Sequence, residues 1–145
     1  MIYTSNSADE TYDIAAQFAK KLNKGDVITL DGDLGAGKTA FTRGVAAGLG
    51  LRDVVVSPTF TIVNEYRKGD IALFHFDVYR LECADDLYDI GWDDYISADG
   101  ICIVEWSSIV PECFDMPHYR VVITKNPALG DDCRQISIEY IGGTQ

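Results

Sequence analysis

Basic residues are scarce in this chain. Twelve Lys and Arg stand against 23 Asp and Glu in 145 residues, a formal net charge of −11. A phosphate backbone repels such a surface, so free-standing binding to DNA or RNA is a poor reading. A small anion is different, because a few aimed N–H groups hold it locally whatever the net charge. Long apolar runs are also missing: stretches such as Ile101-Cys102-Ile103-Val104 are too short to span a bilayer. The opening residues, Met1 to Ser7, lack the basic start and apolar stretch of a secretory signal. Cys83, Cys102, Cys113 and Cys133 never fall at C-x-x-C spacing, and no His lies near them at zinc-finger spacing. They read as reduced thiols of a cytoplasmic protein. With only four Pro and 47% apolar side chains, disorder is a poor description as well.

What is present is enough for one globular domain spanning 1–145, since a chain this long buries ~68–70% of its unfolded surface. No repeat, low-complexity segment or linker divides it. Ser7 to Leu22 reads as a helix, with Ser7 and Glu10 at capping-box spacing and Ile14, Phe18 and Leu22 recurring every fourth residue. Asn23-Lys24-Gly25-Asp26 makes a turn, Val27 to Leu30 an apolar strand, and Lys38 to about Leu49 a second helix. Thr59 to Glu65 and Ile71 to Asp77 read as strands around a Lys68-Gly69-Asp70 turn. Leu81 to about Asp94 reads as an acidic helix broken near Gly91. Ile101 to Val104 has the pattern of a strand buried on both faces. Tyr119 to Thr124 and Gln135 to Ile141 read as a closing hairpin. Strands mixed with two or three helices predict an α/β fold with a mixed central β-sheet flanked by helices.

Between the first strand and second helix, Gly32-Asp33-Leu34-Gly35-Ala36-Gly37-Lys38-Thr39 fits G-x-x-x-x-G-K-[ST] at every fixed position. Each residue type has a physical task in such a loop. Glycines let successive N–H groups converge on phosphate oxygens, and the following helix adds its positive end. The Lys38 amine reaches the β- and γ-phosphates, and the Thr39 hydroxyl ligates Mg²⁺. This predicts a nucleotide site in a P-loop NTPase-like domain. Asn23-Lys24-Gly25-Asp26 spells the guanine-reading N-K-x-D string, but it precedes the phosphate loop and no D-x-x-G occurs. It is read as a turn.

Such a site needs a carboxylate near the metal. Asp77 and Glu105 qualify, because each closes an apolar strand and ligands of open α/β sheets sit beyond the carboxyl ends of strands. Glu105 is the stronger candidate, since a carboxylate ending a fully apolar strand is costly without a partner. Either could also be the first exposed residue after the sheet, and Asp77 could instead pair with Arg80. Ser57-Pro58-Thr59-Phe60 falls where switch segments of P-loop proteins lie, although an ordinary turn fits equally well. His75 reads as a satisfied structural histidine, and His118 as a loop residue without a signal. Asp85, Asp86, Asp89, Asp93 and Asp94 lack the spacing and Gly of an EF-hand and read as a solvated face or a surface for a basic protein partner.

Gly-Asp-Leu-Gly-Ala-Gly-Lys-Thr (32–39), Ser-Pro-Thr-Phe (57–60), His-Phe-Asp-Val-Tyr-Arg (75–80), Glu105-Trp106 and the helical Glu10-Thr11 together resemble the bacterial TsaE (YjeE) family. The likeness runs in order from about Ser7 to Trp106, with Arg134 in a family-like place beyond it. It implies a small ATPase required for threonylcarbamoylation of adenosine 37 in tRNAs reading ANN codons. Such a protein does not transfer the group itself; its ATP cycle serves the TsaD–TsaB pair, and tRNA is met only through that complex. Membrane and DNA are not implied as partners. Carried over residue by residue, the resemblance puts the phosphates on Leu34, Gly35, Ala36, Gly37, Lys38 and Thr39. It puts Mg²⁺ on Thr39 and Glu105 and the catalytic carboxylate role on Asp77, with Lys38 and Glu105 in the same machinery. Ser57 to Phe60 becomes a nucleotide-sensitive switch, and Thr11 and Arg134 contact the adenosine end of ATP.

Two other classes share the phosphate loop. A P-loop small-molecule kinase needs lid arginines, and the six Arg here are not clustered in an insertion long enough to be a lid. A nucleotide-gated binding module with negligible hydrolysis would carry the same residues.

Overall fold

A strand that is apolar at every position must be covered on both faces, and Ile101–Glu105 (β5) is buried at all five residues. The computed structural model describes residues 1–33, 35–51, 55, 58 and 62–142, and in it β5 lies inside a seven-stranded sheet. The other strands are Ile2–Ser5 (β1), Val27–Gly32 (β2), Val63–Lys68 (β3), Ile71–Asp77 (β4), His118–Lys125 (β6) and Arg134–Ile141 (β7), in the spatial order β1-β7-β6-β2-β5-β4-β3. β2 runs parallel to both β5 and β6, and β4 runs parallel to β5. The outer pairs β1–β7, β6–β7 and β3–β4 are antiparallel. The sheet is therefore mixed, as expected, with the parallel part at its centre.

Alternation along the strands divides the core into two layers. Ile28, Leu30, Leu73, Ile101 and Ile103 pack with Phe18, Phe41 and Val45 of the helices Ala8–Ala19 (α1) and Lys38–Gly48 (α2). Val27, Phe74, Phe76, Cys102 and Val104 point the other way, toward Leu87 and Trp92 of Ala84–Ile90 (α3) and Trp92–Ile96 (α4). The acidic helix breaks at Gly91 as anticipated, with φ 107° between α3 and α4. Asp85, Asp89, Asp93 and Asp94 are exposed on this layer. Among the described residues no helix is long and apolar enough to cross a membrane. All four cysteines are free thiols, and burial pushes that of Cys102 up to about 12.

Four expectations change. The strand read over Thr59 to Glu65 is Val63–Lys68, with 59–61 outside the described residues. Ile2–Ser5, given no element from its sequence, is an edge strand that pairs with β7 and is tied further by the Met1 ammonium to the Ile138 carbonyl at 2.8 Å. Its paired residues lie 129 to 135 positions away, so nothing local signals the pairing. His118 opens β6 rather than lying in a loop; it is buried, with Nδ1 2.9 Å from the Met116 carbonyl oxygen. The helix over Ser7 to Leu22 is shorter. Ser7 is its N-cap, accepting the Glu10 N–H at 3.1 Å, and the Glu10 carboxylate reaches back to the Asn6 N–H at 2.6 Å. The turn at Asn23 to Asp26 is present, closed by the Asn23 N–H on the Asp26 carboxylate at 2.7 Å.

α1 and α2 approach closely because two positions on α2 carry no side chain. A Cβ on Gly44 would lie 2.3 Å from the Tyr12 carbonyl oxygen, and one on Gly48 would lie 2.4 Å from that of Ala16. Gly44→Ala is therefore expected to destabilise the fold by about 1–3 kcal/mol through overpacking, outweighing the ~1 kcal/mol that Ala gains over Gly in a helix. Urea unfolding of the two proteins measures it, and a more stable variant would refute this close packing.

Candidate nucleotide site

The parallel strands deliver the site. β2, β5 and β4 end side by side, with Leu30 opposite Glu105 and Glu105 opposite Asp77. The glycine-rich loop leaves β2 at this edge and returns as α2. Gly35 and Gly37 hold φ of 78° and 106°, a left-handed backbone that other residues adopt only with strain. Gly37 caps α2 without a side chain, and no acidic residue occupies the first turn. By contrast, α1 has both the Ser7 cap and Asp9 and Glu10 in its first turn. The helix end at Lys38 is left as an anion site. Leu34 lies outside the described residues, as do Ser57, Thr59 and Phe60; Pro58 is described and buried.

Lys38 is only 6% exposed. Its Nζ donates to the Gly32 carbonyl oxygen at 2.6 Å and stands 3.5 Å from the centre of the Trp106 ring. Burial pulls the ammonium's pKa below its usual range, while Glu105, Asp77, Asp31 and Asp33 pull the other way. Trp106 reaches this position because it takes a left-handed backbone, φ 63°, directly after β5. The following turn is pinned by Asp31, whose carboxylate accepts the Ser107 hydroxyl and, at 3.2 Å, the Ser108 N–H. Tyr79 packs on the indole with ring centres 4.9 Å apart.

Glu105 is 3% exposed, so it is not the first exposed residue after the sheet. Its Oε2 lies 2.5 Å from His75 Nε2. His75 and Asp77 alternate on the α2 side of β4, as does Leu73, and the parallel register sets them beside Ile103 and Glu105. Sequence reading took His75 as structural and missed its partner. The available signal was a lone His75 within, and Glu105 at the end of, otherwise apolar strands, but strand adjacency was needed to join them.

Asp77 is half-buried and accepts the Tyr79 N–H at 3.0 Å; among the described residues Arg80 makes no ion pair with it. Burial raises its carboxyl pKa, and Glu105 adds to the rise, against the lowering by the Tyr79 N–H, His75 and Lys38.

Thr39 is the second residue of α2. Thr11 is buried, its hydroxyl 2.7 Å from that of Ser5 beneath α1. Arg134 reaches the loop: its guanidinium donates to the Ala36 carbonyl at 3.1 Å and to that of Gly35 at 3.4 Å. Lys38, Asp77, Glu105 and Arg134 are thus gathered around the loop, whereas Thr11 spends its hydroxyl on β1. Among the described residues no three His, Cys, Asp or Glu side chains form a protein-only metal cage. Thr39 and Glu105 suit a cation that takes few protein oxygens and completes its shell with phosphate, which is the habit of Mg²⁺.

Residues 5–136 match the family model described as threonylcarbamoyl adenosine biosynthesis protein TsaE. The chain belongs to the TsaE family. A Bacillus subtilis relative named tRNA threonylcarbamoyladenosine biosynthesis protein TsaE is 46% identical over 134 residues, covering 92% of this chain and 82% of the relative. A Treponema pallidum protein of the same name is 38% identical over 134 residues, covering 92% and 96%. The crystal structure of Bacillus subtilis YdiB superposes with a TM-score of 0.83 at 39% identity, covering 98% of this chain and 86% of that one. The TsaE likeness inferred from the motifs and the P-loop NTPase-like fold are thereby both established.

The raised pKa of Asp77 sets a pH-dependent prediction. A carboxylate that burial holds against ionisation costs stability wherever it is charged in both folded and unfolded chains, and costs nothing below its unfolded value of 3.8. Asp77→Asn should therefore raise the melting temperature at pH 7, and the gain should fade as pH falls toward 3.8. Thermal melts across that range check it, and a destabilised variant at pH 7 would contradict it.

Proposed function

We propose that this TsaE-family protein is an ATPase of tRNA threonylcarbamoyladenosine formation, serving the modification of adenosine 37 in tRNAs that read ANN codons. It hydrolyses Mg-ATP and acts through the TsaD–TsaB pair, and it neither transfers the threonylcarbamoyl group nor grips tRNA itself. The observation that carries the reading is the convergence of Lys38, Asp77 and Glu105 at the edge where an uncapped helix end follows a glycine-rich loop. Membership of a family whose relatives bear the threonylcarbamoyladenosine name supplies the pathway.

In this reading the backbone of Gly35 to Thr39, together with Leu34, cradles the phosphates. Lys38 leaves the Gly32 carbonyl and the Trp106 face for the β- and γ-oxygens, exchanging one set of electron-rich partners for another. Thr39 and Glu105 hold Mg²⁺, which neutralises developing charge on the phosphates. Asp77 orients the attacking water, and a carboxyl whose pKa is raised is better suited to accept a proton near neutrality. Arg134, bonded to the loop carbonyls, braces the loop from β7 and stands at the adenosine end, without Thr11, whose buried hydroxyl is spent on Ser5. The net charge of −11 suits a subunit that leaves RNA to its partners. A cytoplasmic location accords with the free thiols.

Phosphate release from Mg-ATP should be slow for the protein alone and strongly stimulated by purified TsaD–TsaB. Glu105→Ala should lower the stimulated rate by about 100-fold while ATP still binds, and Asp77→Asn should lower it by about 100-fold or more. Fast release alone, or no response to the pair, would refute the coupling. Full support of tRNA modification by Glu105→Ala would make the protein a nucleotide gate rather than a hydrolase.

A further inference from the structure

His75 is fully buried on β4, one strand in from the edge of the sheet, yet only half of its hydrogen-bonding capacity is used. Nε2 meets Glu105 at 2.5 Å, while Nδ1 is the one buried side-chain polar atom without a partner among the described residues. Leu73, Phe74 and Phe76 around it on β4 are all fully buried apolar residues. An imidazole in such surroundings costs free energy that an apolar side chain would not, and a histidine kept only for packing is expected to have both nitrogens satisfied. The unpartnered nitrogen is less costly as a lone pair than as an N–H, so the proton belongs on Nε2, facing the carboxylate. The other groups near Glu105 do not replace this contact: Lys38 is engaged with Gly32 and Trp106, and Asp77 repels it.

We propose that His75 is a positioning residue for the metal-binding step: its Nε2–H fixes the Glu105 carboxylate in the orientation that receives Mg²⁺ with the nucleotide. Donors behind a ligating group commonly set its orientation, and their loss weakens metal affinity by about 10–100-fold. The inference rests on the reading of Glu105 as a metal ligand and goes beyond it by naming the group that prepares it.

Two nearly isosteric replacements separate positioning from packing. Gln retains an N–H donor at this reach, and Met retains the volume without it. The readout is thermal stabilisation by ADP, titrated with Mg²⁺. His75→Met should need about tenfold more Mg²⁺ than wild type for half-maximal stabilisation, with ADP stabilisation in EDTA unchanged, and His75→Gln should restore most of the loss. Equal Mg²⁺ requirements for Met, Gln and wild type would overturn the proposal alone. A wild-type protein whose ADP stabilisation ignores Mg²⁺ would overturn the metal reading of Glu105 and this inference with it.

The wild-type protein supplies a second measurement, which decides the matter if the Met variant does not fold. With only two histidines in the chain, His75 and His118, a ¹⁵N-histidine spectrum carries two imidazoles, and a His118→Gln spectrum assigns the signals of His75. Mg²⁺ added to the ADP-bound protein should shift the His75 Nε2 resonance, and an unmoved resonance overturns the proposal.

Discussion

A carboxylate at the end of a strand buried at every residue has to be matched by something, and the site is organised by how Glu105 is matched. Removing an ionised carboxylate from water costs several kcal/mol even after relaxation. The imidazole of His75 lies against it in the same sheet layer, and the Lys38 ammonium faces it from the first residue of α2. The Lys38 charge carries the mirror-image problem, since its own burial is opposed by Glu105, Asp77, Asp31 and Asp33 together. Neither charge is affordable alone. The phosphate loop and the strand ends are thus one electrostatic unit.

That unit depends on parallel pairing at the centre of the sheet. Because β2, β5 and β4 run the same way, their carboxyl ends share an edge, and the period of two sends His75, Asp77 and Glu105 to the α2 layer. An antiparallel neighbour in place of β4 would put its amino end there instead. The antiparallel strands sit at the margins, where β7 carries Arg134 back to brace the loop. α1 reaches its place through glycines on α2, so the layer over the site is set by backbone contact.

Lys38 is held in two contacts that a nucleotide would have to replace: a carbonyl oxygen and an aromatic face. Both are electron-rich, and both lie next to the loop. The left-handed Trp106, whose backbone strain is worth of order 1–3 kcal/mol, is kept in place by the Asp31 clamp on Ser107 and Ser108. This arrangement keeps a desolvated ammonium satisfied while the first turn of α2 itself carries no acidic side chain to compete with phosphate.

Local strings determined a good deal by themselves. The run from Gly32 to Thr39 specified a phosphate loop because its tasks, tight backbone and an amine at the helix start, are met within eight consecutive residues. The Ser7 cap, the break at Gly91 and the buried pattern of Ile101 to Val104 were legible for the same reason: each depends on neighbours a few residues away. The positions of Asp77 and Glu105 at strand ends marked them as candidates, but whether they were exposed or engaged was not readable. Tertiary structure alone decided that Glu105 is buried against His75, that Arg134 reaches the loop carbonyls, that Thr11 is spent on Ser5, and that Ile2–Ser5 joins β7. A chain's periodicity shows which residues share a face, whereas strand order and register come from packing between segments far apart in sequence, and these contacts exist only once that order is set.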